Sequence, residues 1–136
     1  MRVFPDTNVL VSAFASRGLC ADLFRHLLVE HKLLVGEVVV AELKRVLVGR
    51  LKVPRGTVSD IERLLHEHEL VPRPKKNLTL GLRDPDDEWI VASAAAGKAD
   101  ALVTGDADIL DAKRRVPVPV FTPRQFWDRL RTGSAR

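Results

Sequence analysis

At 136 residues, with 46% hydrophobic and 29% charged residues, the chain has room for one globular domain with a sizeable core and little room for two. Its single cysteine, Cys20, excludes an intramolecular disulfide and argues against a thiolate zinc site, as suits a reducing compartment. The net charge of +4 points mildly toward a polyanionic partner, and most of its cations are ordinary solvated surface.

The elements follow in chain order. Arg2 to Pro5 forms a short apolar strand that runs straight into Asp6-Thr7-Asn8. Leu19 to His31 carries Leu19, Leu23, Phe24, Leu27 and Leu28 at helical spacing. Leu33 to Val35 predicts a second strand ending at Gly36, and Glu37 to Val48 returns to helical periodicity through Val39, Val40, Leu43, Val46 and Leu47. After Pro54, Thr57 and Ser59 are cap candidates for a helix through about Glu69. Leu70 to Pro72 predicts a third strand before a basic loop, Arg73 to Asn77.

Asp84-Pro85-Asp86-Asp87 reads as a helix start, with acids in the first turn and proline where it is tolerated. Ala92 to Ala96 gives that helix a small-residue face. Ala101 to Thr104 predicts a strand stopping at Gly105-Asp106, and Val116 to Phe121, broken by prolines, an edge strand at best. A last helix spans Arg124 to Arg131, with Phe126 and Trp127 packing it, and 132–136 reads as a frayed tail. Short strands alternating with longer helices predict a three-layer α/β/α sandwich around a parallel sheet of about five strands.

Pro5 and Asp6 interrupt the apolar start too early for a secretory signal, and no uncharged stretch approaches the roughly 18 residues of a membrane helix. A soluble, cytoplasmic protein without a membrane partner is the expectation.

Four acids stand where apolar residues are due. Asp6 directly follows the first strand, a privileged place for a ligand in a parallel sheet, and it would also cap a helix well. Glu42 shares a helix stripe with Val38, Val39 and Val46; it is a ligand, or it reaches water or Arg45 from the stripe's edge. Asp87 aligns with Ile90, Val91 and Ala94, unlike its neighbours Asp84, Asp86 and Glu88. Asp106 and Asp108 follow the fourth strand, where either could be a mere helix cap. Carboxylates converging on one pocket repel each other unless a cation holds them ionised, and an oxygen-donor set suits Mg²⁺ or Mn²⁺. His66 and His68, two apart, point to different helix faces and make no ready metal pair.

These motifs match a family. Val3-Phe4-Pro5-Asp6-Thr7-Asn8-Val9-Leu10 resembles the opening strand and Asp-Thr-Asn of PIN domains. Glu42 within Glu37 to Leu47 resembles their second acidic motif. Asp84 to Ile90 and Leu102 to Asp108 resemble the third and fourth. The likeness runs in order from Arg2 to about Trp127 and is nearest in style to the VapC-like toxins of toxin–antitoxin pairs.

The resemblance implies a parallel sheet flanked by helices and a Mg²⁺- or Mn²⁺-dependent ribonuclease. Asp6, Glu42, Asp87 and Asp106 become its catalytic and metal-holding acids, and Asp108 shares or replaces the role of Asp106. Asn8 and Thr104 become polar contacts to these ligands or to substrate. It also implies an RNA substrate, a homodimer and a small antitoxin that occludes the pocket. Affinity for RNA should come from its phosphates, with Lys75, Lys76, Arg83 and Lys113 to Arg115 as candidate contacts. With five Phe, two Trp and no Tyr, extended base stacking is not expected.

Two rivals differ in class. A haloacid-dehalogenase-type phosphohydrolase wants a second Asp two positions after the first, where this chain has Asn8. A non-catalytic protein of the same fold would bind RNA or a protein partner without cutting, and would still bind as an Asp6→Asn variant.

Overall fold

The computed structural model of the chain describes residues 1–133. Its strands are β1 (Arg2–Pro5), β2 (Lys32–Gly36), β3 (Glu69–Val71), β4 (Ala101–Val103) and β5 (Val120–Phe121). They form one sheet in the order β3-β2-β1-β4-β5, and every pairing is parallel. Parallel neighbours need crossovers, and helices supply them. These are α1 (Thr7–Ala15), α2 (Leu19–Glu30), α3 (Glu37–Arg45), α4 (Arg55–Leu65), α5 (Pro85–Ala96), α6 (Ala107–Asp111) and α7 (Pro123–Thr132). Both sheet faces are covered, as the buried side chains of the central strands require: Val3, Phe4, Leu33, Leu34, Ala101, Leu102 and Val103 are all at most 1% exposed.

The topology decides where a site can lie. From β1 the chain builds outward through β2 to β3, then crosses back to β4 on the other side of β1. The order therefore reverses between β1 and β4, and a crevice opens beyond their carboxyl ends. Pro5 pairs with Val103, so Asp6 and Thr104 leave the sheet side by side.

The second half of the chain refines two expectations. The helix after Pro54 begins at Arg55, without a side-chain cap, and ends at Leu65, so neither Thr57 nor Ser59 caps it. Glu69, expected near its end, belongs to β3, where it pairs with Leu34. The pairing with β2 and the ion pair of Glu69 with Arg2 (2.6 Å) draw that residue out of the helix. The proline-rich 116–121 segment contributes only Val120 and Phe121 to the sheet edge.

α3 does not run on to Val48 as a regular helix. From Val46 to Arg50 it loosens into a π-helical turn, closed by a hydrogen bond from the Leu51 N–H to the Val46 carbonyl (3.1 Å). Phe126 is fully buried, Trp127 packs against the core, and Cys20 is half-buried beside it. Thr132 ends α7 and Gly133, with φ 71°, caps it; the remainder of the expected tail, 134–136, lies outside the described residues. No described helix is long and apolar enough to cross a membrane.

Candidate functional site

At the crevice, Asp6 is 3% exposed and yet well supplied with donors. Its Oδ1 accepts from the Thr7 N–H (2.6 Å), capping α1. Its Oδ2 accepts from the Thr104 hydroxyl (2.6 Å) and from Asn8 Nδ2 (3.3 Å). Capping and a place in the pocket are therefore compatible, because the two oxygens divide the tasks. Thr104, fully buried, also accepts from the Asp106 N–H (3.0 Å), and the Asn8 Oδ1 accepts from the Gly105 N–H (3.1 Å). These bonds tie the loop after β4 to the start of α1.

The other acids arrive from separate elements. Asp106 caps α6 through the Ile109 N–H (3.0 Å), and Asp84 caps α5 through the Asp86 N–H (2.9 Å), which sets Asp87 in the first turn of α5. Helix amino ends favour negative charge there. Glu42 comes from α3, half-buried; neither Arg45 nor Lys44 forms an ion pair with it, and Lys44 pairs instead with Glu62 at 3.2 Å.

Together Asp6, Glu42, Asp87 and Asp106 line a pocket of about 660 Å³, with Asp84 and Asp86 at its wall. Asp108 completes a tighter group: carboxylate oxygens of Asp87, Asp106 and Asp108 lie within 4.8 Å of one another. Asp106 and Asp108, separated only by Ala107, both reach this cluster.

Crowding shows in the protonation of the pocket. Burial pushes the Asp6 carboxyl up to about 6, with Glu42 and Asp106 adding repulsion, against the hydrogen bonds of Thr104 and Thr7 that favour its charge. Asp87 rises to about 7, first through burial and then through Asp106, Asp6, Asp84 and Glu42. The Thr7 hydroxyl, buried beside Asp6, has no hydrogen-bond partner. A divalent cation fits such a site: several hard oxygen donors, surplus negative charge and an unsatisfied hydroxyl at one edge.

The expected phosphate contacts lie elsewhere. Lys75 and Lys76 are exposed in the segment between β3 and α5, outside the pocket's lining. Arg83 lines a neighbouring cleft of about 200 Å³ with Asp108, Asp111 and Arg115. Arg115 donates to the Leu80 carbonyl (2.9 Å). The cations that do line the acidic pocket are Arg45 and Arg50, together with Thr7, Val11, Ser12 and Val46 from the inner faces of α1 and the π turn. Arg50 stands four residues after Val46 and eight after Glu42, a spacing that keeps all three near one helix face.

Known structures share the architecture. A chain of the VapBC2 complex from Rickettsia felis, crystallised bound to a DNA fragment from their promoter, matches with a TM-score of 0.65 at 20% identity. That match covers 90% of this chain and 98% of that one. FitAcB from Neisseria gonorrhoeae matches with a TM-score of 0.57 at 18% identity, over 90% of this chain and 98% of that one. FitAB bound to an IR36 DNA fragment gives 0.63 at 18%, over 89% and 94%. At these identities the likeness is one of fold. No curated protein sequence matches the chain. The PIN domain family model matches residues 2–108, a span that includes Asp6, Glu42, Asp87, Asp106 and Asp108; the chain belongs to the PIN domain family.

Proposed function

We propose that the protein is a divalent-metal-dependent endoribonuclease, hydrolysing RNA phosphodiester bonds at the pocket of Asp6, Glu42, Asp87, Asp106 and Asp108. One observation carries this reading. Acids from α3, α5 and the caps of α1 and α6 converge at the switch point of a parallel sheet, with Asp6 and Asp87 crowded enough to hold protons near neutrality. A fold gains no stability from such repulsion, so the arrangement points to a ligand that relieves it.

The geometry supports a division of labour. Asp6, held by Thr7, Asn8 and Thr104, is the most rigid carboxylate and fixes the floor of the site. Asp87, Asp106 and Asp108 present oxygens close enough to share one cation, and Glu42 adds a further carboxylate to the pocket lining. Held by these acids, a Mg²⁺ or Mn²⁺ ion would supply an acidified water and charge neutralisation for the phosphoryl oxygens. A carboxylate of the cluster takes the proton of the attacking water. Thr104 bridges Asp6 and the Asp106 backbone, so it positions two acids at once.

We assign residues 1–131 to the nuclease domain and the role of toxin in a toxin–antitoxin pair, acting in the cytoplasm as a homodimer until a small antitoxin covers the pocket. Supporting this are the VapC-like motifs and the fold shared with the VapBC2 and FitAB complexes.

Cleavage of a mixed RNA pool tests the reading. The purified protein should cut with Mg²⁺ or Mn²⁺, stop with chelator, and lose at least roughly a hundredfold in rate as Asp6→Asn, as loss of a catalytic electrostatic group generally costs. Cutting that survives Asp6→Asn would remove the pocket from the chemistry. No cutting by the folded, metal-supplied and partner-free protein would favour a non-catalytic regulator that binds RNA or protein.

A further inference from the structure

Arg45 and Arg50 line the acidic pocket, yet neither side chain forms a hydrogen bond or an ion pair with any described residue. By contrast, Lys44 pairs with Glu62 at 3.2 Å and Arg63 with Asp60 at 3.3 Å. Two guanidiniums beside six carboxylates, none of which they engage, are groups kept for something outside the chain. A planar guanidinium matches phosphate oxygens two at a time, so a phosphodiester is the ligand its chemistry favours.

The backbone reinforces this. With 3.6 residues per turn, a regular helix would turn Arg50 roughly 140° away from Arg45. The π turn over Val46–Arg50, bonded from i to i+5, brings the fifth residue back toward the same face. Its effect here is to draw the two arginines closer to one face of the pocket. Arg45 also lines an adjoining cleft of about 160 Å³, where the Arg73 guanidinium stacks on the Trp89 ring at 4.1 Å. Arg45 therefore borders both cavities.

We infer that Arg45 and Arg50 grip the backbone phosphates next to the scissile one, and so lower an RNA strand onto the carboxylates. The inference rests on the nuclease reading for its substrate but not for its test. The phosphate neighbours of a cleavage site need an attractive contact of this kind, because the acids would otherwise repel the strand as a whole. Lys75, Lys76 and Arg83 then steer RNA from further off and do not set its register.

Binding is read first, in an Asp6→Asn background with Mg²⁺ present, using a short labelled single-stranded oligoribonucleotide over a range of salt. Arg45→Ala and Arg50→Ala should each weaken binding roughly tenfold, the worth of one charge-assisted contact. Each should also flatten the salt dependence by about 0.7, the share of one phosphate on a single strand. Arg50→Lys should restore the slope and only part of the affinity.

Cleavage gives a second reading. Each arginine variant should lose roughly tenfold more in kcat/KM on the oligonucleotide than on a dinucleoside monophosphate, which has no neighbouring phosphate to grip. An unchanged salt slope, or equal losses on long and short substrates, overturns the inference and leaves the arginines as mere counter-charges for the acids. If the unsubstituted protein cuts nothing while the slopes fall as described, the nuclease reading fails and the phosphate grip stands.

Discussion

Asp87 shows most plainly what single residues contribute here. Its carboxyl is raised to about 7 by burial and by four neighbouring acids, so ionising it costs the folded state something the unfolded chain does not bear. Asp87→Asn should therefore raise the melting temperature of the metal-free protein above pH 7, where the parent carries the full cost. The gain should shrink as pH falls and vanish below about 4, where the carboxyl is protonated in both states. Thermal melts of parent and variant across this range check it, and a variant that melts lower at pH 8 would contradict the crowding. The same substitution should stop cleavage, the usual exchange of function for stability at a site. Residues of this kind were legible in the sequence because each breaks a pattern: Asp6 and Asp106 end strands, and Glu42 and Asp87 interrupt apolar stripes. Arg45 and Arg50 break none. An arginine on the exposed part of a helix is no anomaly, and charge alone pointed to Lys75, Lys76 and Arg83, which lie outside the pocket.

The elements position these side chains through a few tight junctions, of which Gly36 is the closest. It ends β2 and precedes α3 directly, and a Cβ placed there would meet the Phe4 ring at 2.6 Å. Phe4 is fully buried beneath it and cannot swing away. Gly36→Ala should cost about 1–3 kcal/mol of stability, the range for overpacking a core. It should also slow cleavage, because α3 carries Glu42 and the arginines that follow. Urea unfolding alongside a cleavage assay checks both, and an alanine variant of unchanged stability would mean that α3 and β1 separate more easily than their packing suggests. Strand and helix positions were largely open to sequence reasoning, since apolar runs and Asp caps mark them. The end of α4 was not. Glu69 leaves helical periodicity because it pairs with Leu34 on β2 and with Arg2 on β1, contacts that only the assembled sheet creates.

At the scale of the whole molecule, protons and cations compete for one pocket. Asp6 and Asp87 have folded pKa values of about 6 and about 7 against an unfolded 3.8, so between about pH 4 and pH 7 the native state binds more protons than the unfolded chain. Stability from this pair is greatest below that window and falls as pH rises through it. Glu69, lowered by its hydrogen bond with Arg2, and His31, lowered by burial, shift the other way. The pair is isolated by comparing the parent with an Asp6→Asn/Asp87→Asn double variant. Without metal, the parent should lose ground to the double variant from pH 4 to pH 7 and then hold a constant gap. With Mg²⁺ at 100 times its dissociation constant, a protein bound only when folded gains about 2.7 kcal/mol, enough to move its melting temperature by several degrees. The parent should show that gain at pH 8, where its acids are ionised, and almost none at pH 4.5, where a cation must displace protons to enter. The double variant should show little at either pH. Equal stabilisation of both proteins would place the cation elsewhere on the surface, and stabilisation of the parent that ignores pH would mean that the acids are not what binds it.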